Sequence, residues 1–146
     1  MRPRRPERQP AAERPSAQVT TCDGTPIGAT FASILCRLDT LLTAVNGEPD
    51  LGTFRPKLAQ NVEKAIARTG EGGTLCGAAN VKKTKKRLQQ AGTALRQYAH
   101  RLSGLAARKK LDSTLRQAFL DAAAPIRDDL KALRSAVACP DDAPPG

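Results

Sequence analysis

Between Val81 and Leu105, the chain repeats apolar and small side chains every seven residues in two interleaved series. The first series is Val81, Leu88, Leu95 and Leu102, and the second is Thr84, Ala91, Tyr98 and Leu105. A seven-residue repeat keeps one stripe of a helix facing a neighbouring helix over its whole length. The pattern therefore predicts one long helix that packs nearly antiparallel against other helices.

A first helix is predicted upstream of this seam, because apolar residues recur there at helical spacing. They are Phe31, Ile34, Leu35, Leu38, Leu41, Leu42 and Val45. We expect the helix to begin near Thr25-Pro26, where a hydroxyl can cap free amides and a proline suits the first turn. Asn46-Gly47 tolerates the left-handed backbone of a helix end, so the helix should stop there.

Two more helices complete the pattern. One begins between Asp50 and Pro56 and runs to Thr69, after which four glycines within residues 70–77 predict a pliable connection. The last begins at Asp112 or Ser113 and presents one apolar face as far as Val137. Its interior Pro125 removes a backbone hydrogen bond, which predicts a bend near Asp121 or a break into two pieces.

Four amphipathic helices with mostly short connections predict an all-α fold, a four-helix up-down-up-down bundle with flexible N- and C-terminal tails. Aromatic residues make up only 3% of the chain, so the core should be aliphatic. We expect residues 1–21 to be a disordered Pro/Arg-rich arm or linker. Residues 22–139 should form the disulfide-linked bundle, and residues 140–146 a disordered tail.

The four cysteines, Cys22, Cys36, Cys76 and Cys139, are scattered and form no metal-binding pair. The bundle topology places all but Cys36 at one end, and Cys36 points away from the apolar stripe of its helix. A glycine-rich connection folded back over that helix would pair Cys36 with Cys76 and leave Cys22 for Cys139, which is the preferred pairing. The alternative, Cys22 with Cys36 and Cys76 with Cys139, stays open because the N-terminal arm can also cover the first helix.

Scattered cysteines in even number favour disulfides and an oxidising compartment, so we expect a secreted or cell-envelope protein. The chain starts Met-Arg-Pro-Arg-Arg-Pro, without the apolar stretch of a signal peptide. We therefore expect a mature segment, a fragment or a misplaced start, and a cytoplasmic location stays open. No apolar run approaches the ~20 residues needed to cross a bilayer.

Positive charge is concentrated in residues 72–111, which hold ten basic and no acidic side chains. The candidate anion-binding residues are Lys82, Lys83, Lys85, Lys86, Arg87, Arg96 and Arg101. Together with Arg108, Lys109 and Lys110, they cover every face of the predicted helix except the seam. A basic ridge of this kind can bind phosphate backbones without sequence preference. A solvated helix face is the simpler and favoured interpretation.

No group of residues predicts catalysis, a metal or a cofactor. The glycines of residues 70–77 lack the strand and the Gly-Lys-Ser/Thr of a phosphate-binding loop. His100 has no carboxylate nearby in the sequence to orient it as a base, and we interpret it as a partly exposed structural residue. Asp128 and Asp129 point about 100° apart on their helix and are interpreted as surface charges. We therefore predict that the chain is not an enzyme.

Three stretches resemble a small helical domain of unknown function found in predicted exported bacterial proteins. They are Cys36-Arg37-Leu38-Asp39-Thr40-Leu41-Leu42, Val81 to Lys110, and Leu133 to Asp142. The resemblance covers roughly residues 22–142. It implies export, a helical fold and an accessory role, often as a terminal appendage of a larger chain. That family offers no functional residues to assign.

The leading functional prediction is a non-catalytic accessory or interaction module of an exported bacterial protein, with a protein partner or adjacent domain that the sequence does not identify. The alternative is a sequence-indifferent anion-binding module that uses the basic third helix. Its ligand would be nucleic acid, an acidic polysaccharide or an anionic cell surface.

Overall fold

Four long helices account for most of the computed structural model, which describes residue 22 and residues 24–139. In chain order the elements are α1 (Phe31–Asn46), a 3-10 segment (Pro49–Phe54), α2 (Arg55–Gly77), α3 (Val81–Ser103), α4 (Leu105–Lys110) and α5 (Ser113–Ala136). Helices α1, α2, α3 and α5 pack antiparallel, and each of them contacts two neighbours in the ring. The predicted all-α up-down-up-down bundle is confirmed. The predicted tails, residues 1–21 and 140–146, lie outside the described residues.

The core is aliphatic, as the composition predicts, with buried leucine, isoleucine, valine and alanine from all four long helices. Tyr98 is its largest aromatic member and is fully buried. The Tyr98 hydroxyl donates a hydrogen bond of 2.9 Å to the carbonyl oxygen of Phe119, which joins α3 to α5. Burial raises the pKa of the Tyr98 phenol, so this hydroxyl stays protonated and remains a donor.

Helix α1 begins later than the sequence predicts. Its N-cap is Thr30, whose hydroxyl accepts a hydrogen bond of 3.1 Å from the Ser33 amide, so the cap predicted near Thr25 is wrong. Thr25 instead belongs to a turn in which its amide donates to the Cys22 carbonyl oxygen at 2.9 Å. The start of the helix is set by the residue whose side chain caps it, and residues 25–30 form a non-helical segment of turns and bends in front of α1.

Helix α2 continues through the glycines that predicted a loop, and it ends only at Gly77. The reason is tertiary packing, which overrides the low helix propensity of glycine. Gly72 and Gly73 lie against the ring of Phe31, where an added Cβ would come within 3.5 Å of the ring at either position. The Thr84 hydroxyl of α3 lies 3.3 Å from the Gly72 carbonyl oxygen and shares its hydrogen between that acceptor and the Asn80 carbonyl oxygen at 2.8 Å. This segment is thus the place where α2 packs on both α1 and α3.

The turn from α2 to α3 is a Schellman motif built on Ala79. The Asn80 amide donates to the Leu75 carbonyl oxygen and the Ala79 amide to that of Cys76, both at 2.9 Å. Ala79 has φ of 64°, in the left-handed region that glycine normally occupies at this position. Asn80 then caps α3 by accepting from the Lys83 amide at 3.1 Å.

Gly104 ends α3 and separates it from the short α4, so the predicted seam stops at Leu102. Leu105, predicted to lie on the seam, is 65% exposed, while Ala107 and Leu111 fill the core below it. Helix α5 begins as predicted, because the Asp112 carboxylate accepts from the Thr114 and Leu115 amides. It continues through Pro125 as one helix, so the predicted break is wrong.

Candidate functional site

Both disulfides form, but with the alternative pairing. Cys22 bonds to Cys36 and Cys76 bonds to Cys139. The preferred pairing of Cys36 with Cys76, and of Cys22 with Cys139, is wrong. Two disulfides indicate an oxidising, extracytoplasmic setting for the protein.

The helix boundaries explain this pairing. Because α1 begins only at Phe31, the segment before it is free to turn back along the helix and bring Cys22 to Cys36. Because α2 remains helical to Gly77, no pliable loop is available to carry Cys76 over α1. Cys76 instead lies in the last turn of α2, beside the chain that leaves α5 at Cys139. Each bridge therefore joins a segment flanking the bundle to a helix within it.

A buried arginine that the sequence analysis missed holds the entering segment in place. Arg37 is only 1% exposed. One of its terminal nitrogens, Nη2, donates to the Gly28 carbonyl oxygen at 2.9 Å and to the Asp129 carboxylate at 2.7 Å, and its Nε donates to the Ser33 carbonyl oxygen at 3.3 Å. The guanidinium thus ties the segment before α1 to both α1 and α5. Its helical position between Ile34 and Leu41, within the buried stripe, is the signal that would have revealed it.

The interpretation of Asp129 as a surface charge is therefore wrong. Its side chain is 27% exposed and forms the ion pair with Arg37. Asp128 is exposed, as predicted. Neighbours on a helix point about 100° apart, so one of the two carboxylates faces the interior contact and the other faces solvent.

Four of the candidate anion-binding residues form one exposed cluster. Lys82, Lys83, Lys85 and Lys86 occupy the first two turns of α3, and all four are exposed. We call them the lysine cluster. No acidic residue lies in the first turn of α3. Among the residues that the structure describes, the ion pairs within 4.0 Å involve none of these lysines.

The arginines predicted to share this ridge lie elsewhere. Arg87 forms an ion pair with Glu71 of α2 at 3.1 Å. Arg101 donates to the Asn61 side-chain oxygen of α2 at 3.1 Å. Arg96 lies beside α5, where it lines a groove with residues of that helix. The predicted ridge is therefore divided, because two of its members stabilise the α2–α3 contact.

Arg96 lines a solvent-open groove of about 600 Å³ between α3 and α5, which we call the α3–α5 groove. Its lining combines cations, one acid, neutral polar groups and a small apolar floor. The lining residues are Arg96, Arg127, Lys131 and Arg134; Asp128; Gln89 and Thr93; and Leu88, Gly92, Ala124 and Leu130. The sequence analysis did not include the cations of α5 among the candidate anion-binding residues. The bundle brings them opposite Arg96.

The other candidate residues considered in the sequence do not come together as a site in the part of the chain that the structure describes. His100 is exposed and shares a shallow depression with Arg96, Gln97 and Arg101. Across residue 22 and residues 24–139, no cluster of three or more His, Cys, Asp or Glu side chains could hold a metal ion. Within the same part of the chain, no helix has the length and hydrophobicity needed to span a membrane.

Comparison with known proteins gave no match, whether to protein-family models, to curated proteins or to solved structures. The resemblance to a small helical domain of exported bacterial proteins stays a prediction.

Proposed function

We propose that this chain is a non-catalytic accessory or interaction module of an exported bacterial protein, secreted or held in the cell envelope. The observation that carries the proposal is the placement of the disulfides. One bridge joins Cys22, ahead of α1, to Cys36, and the other joins Cys139, beyond α5, to Cys76. The segments flanking the bundle are therefore fastened covalently to it, which suits a module joined to other protein in an oxidising space.

The order of the helices in the bundle also supports an accessory or interaction module. In the antiparallel bundle the start of α1, the end of α2, the start of α3 and the end of α5 lie at one end, so both disulfides belong to that end. The opposite end carries the 3-10 segment and α4, including the exposed Leu105. The chain thus enters and leaves the bundle at the end with the disulfides, and the opposite end is available to a partner.

Thiol labelling in the native host tests this proposal. Cells are fractionated under acid quench, and free thiols are alkylated before and after reduction. We expect the protein in the extracytoplasmic fraction with no thiol labelled before reduction and four labelled afterwards. Recovery from the cytoplasm with four free thiols would contradict the proposal, because an exported module of this type requires oxidised bridges.

A second candidate function, sequence-indifferent anion binding, is favoured by the lysine cluster. Cations at a helix N-terminus oppose the helix dipole, and lysines three or four residues apart repel each other. Lys82 and Lys86 are four apart, and Lys83 and Lys86 are three apart. The arrangement destabilises the start of α3, and an anionic ligand would relieve that repulsion.

Retention on an immobilised polyanion tests anion binding. We expect retention of the wild type that weakens steeply with salt, since counterion release drives such binding. Charge reversal of the lysine cluster to glutamate should strongly weaken retention. The matched control reverses four exposed cations at the opposite end of the bundle, Lys57, Arg108, Lys109 and Lys110. Equal loss in both variants would show a net-charge effect and refute a defined surface.

A further inference from the structure

We propose that the α3–α5 groove binds a linear acidic polysaccharide, with its carboxylate or sulfate groups held by the cations of α5 and by Arg96. This inference goes beyond the anion binding proposed for the lysine cluster, because it names a second place and a ligand class. The α3–α5 groove lies apart from the lysine cluster, so binding at either surface can be refuted without refuting the other.

The spacing of the cations favours an extended ligand. Arg127, Lys131 and Arg134 follow one another at i, i+4 and i+7 on the face of α5 that lines the groove. At 1.5 Å rise per residue, the row extends roughly 10 Å along the helix. Three of the four cations in the groove are arginines, whose planar guanidinium can bind a carboxylate or sulfate through two hydrogen bonds. A row of this length fits a chain of several anionic groups better than one compact ion.

The polar lining favours a sugar chain over a nucleic acid. No aromatic side chain lines the groove, so base stacking has no platform there. Gln89 and Thr93 can exchange hydrogen bonds with hydroxyl groups. Asp128 repels a bare anion, but its carboxylate accepts from a hydroxyl. A ligand that carries both anions and hydroxyls matches this combination.

Gly92 lines the groove at a position where the helix would be more stable with a side chain. It lies inside α3 at ordinary helical backbone angles, and an added Cβ there would meet no atom within 4 Å. Neither a turn nor a close helix contact requires glycine at this position. Glycine in a helix interior is destabilising relative to alanine. Its effect here is to leave the floor of the groove clear beside Ala124.

Fluorescence anisotropy with an end-labelled hexamer of a uronic acid tests the proposal on the full oxidised chain at low salt. We expect Arg127→Gln, Lys131→Gln and Arg134→Gln combined to weaken binding roughly tenfold or more, since three charge-assisted contacts are lost. The control combines Arg108→Gln, Lys109→Gln and Lys110→Gln and should change affinity less than about threefold.

A pair of glycine-to-leucine variants distinguishes binding in the groove from an effect of net charge. Gly92→Leu fills the floor without changing charge and should weaken binding severalfold. Gly70→Leu is the matched control, because Gly70 also lies within a long helix with no atom within 4 Å of an added Cβ. Circular dichroism of both variants checks that the helices persist. Equal affinity of the two variants would overturn the groove as the site.

Two further results distinguish the ligand class. Asp128→Ala should weaken hexamer binding if its carboxylate accepts sugar hydroxyls, and tighter binding would overturn that contact. A six-nucleotide single-stranded DNA with the same label should bind more weakly than the uronate. Preference for the DNA would overturn the polysaccharide. Loss of hexamer binding in the lysine-cluster variant alone would refute the groove and leave anion binding by the lysine cluster standing. No hexamer binding by the wild type would refute the groove, whatever the outcome with the immobilised polyanion.

Discussion

Removing one disulfide at a time should destabilise the bundle to different extents, because the two bridges close loops of different length. The sequence separation is 63 residues for Cys76–Cys139 and 14 for Cys22–Cys36. Chain-entropy arguments give a stabilisation of about 4 kcal/mol for the longer loop and about 3 kcal/mol for the shorter one. The difference of about 1 kcal/mol is the quantity to measure.

The two pairs are well matched for this comparison. Each contains one buried cysteine, Cys22 at 6% and Cys76 at 4% exposure, and each has a half-buried partner. Replacing both members of a pair with alanine therefore removes similar volume and similar buried area. What remains different between the two double variants is the length of chain released in the unfolded state.

Urea unfolding followed by circular dichroism at 222 nm measures the effect under non-reducing conditions. We expect the Cys76→Ala/Cys139→Ala variant to lose about 1 kcal/mol more of its free energy of unfolding than the Cys22→Ala/Cys36→Ala variant. Its midpoint of thermal unfolding should also lie roughly 3 to 5 °C lower than that of the other variant. Equal losses, or a larger loss for the shorter loop, would refute the loop-length reasoning.

Three other changes test individual contacts by urea unfolding. Asp129→Ala leaves the buried Arg37 guanidinium without its carboxylate and should lower the free energy of unfolding by about 2 to 4 kcal/mol, whereas the exposed Asp128→Ala should change it by less than about 0.5 kcal/mol. Similar values for the two would contradict the buried ion pair. Ala79→Gly relieves a left-handed backbone and should stabilise the protein by about 1 kcal/mol, and destabilisation would contradict the Schellman turn. Tyr98→Phe should destabilise by about 1 kcal/mol below pH 10. Because burial raises the pKa of Tyr98, the folded wild type loses stability as pH rises above the ordinary tyrosine pKa, so the gap should close there. A gap that stays constant to pH 11 would count against a buried phenol.

The bundle itself could be predicted from the spacing of apolar residues, since that spacing reports directly on helix periodicity. The seam through Leu88, Leu95 and Leu102 is buried as expected. The prediction that the seam extends to Leu105 is wrong because Gly104 interrupts the helix one residue earlier. A seven-residue pattern alone does not reveal such a change of backbone direction. Ala107 and Leu111 then take the inner positions.

The disulfide pairing could not be decided from sequence because it depends on two helix boundaries. Helix α1 begins at Phe31 instead of near Thr25-Pro26, and α2 ends at Gly77 instead of Thr69. Glycine propensity argued for a loop at residues 70–77. That intrinsic preference is weaker than the packing of Gly72 and Gly73 on Phe31.

The candidate site was also only partly accessible from sequence. Exposure of the lysine cluster follows from its position outside the seam, and it is confirmed. The α3–α5 groove joins Arg96 to residues about 30 to 40 positions later in the chain, so it arises only from helix packing. Sequence analysis missed Arg37 because a charged side chain is normally expected at the surface, although its place in the α1 stripe marks it as buried.

Peptide mapping of the unreduced protein tests most directly that each segment flanking the bundle, before α1 and after α5, is fastened by its own bridge. No lysine or arginine separates Cys22 from Cys36, so trypsin leaves both in one peptide, while Cys76 and Cys139 fall in two others. The structure predicts two separate species: one peptide with an internal bridge, and one pair of peptides linked through Cys76 and Cys139. A single species containing all three peptides would mean that Cys22 and Cys36 are each bonded elsewhere, and it would contradict the fastening of each flanking segment by its own bridge.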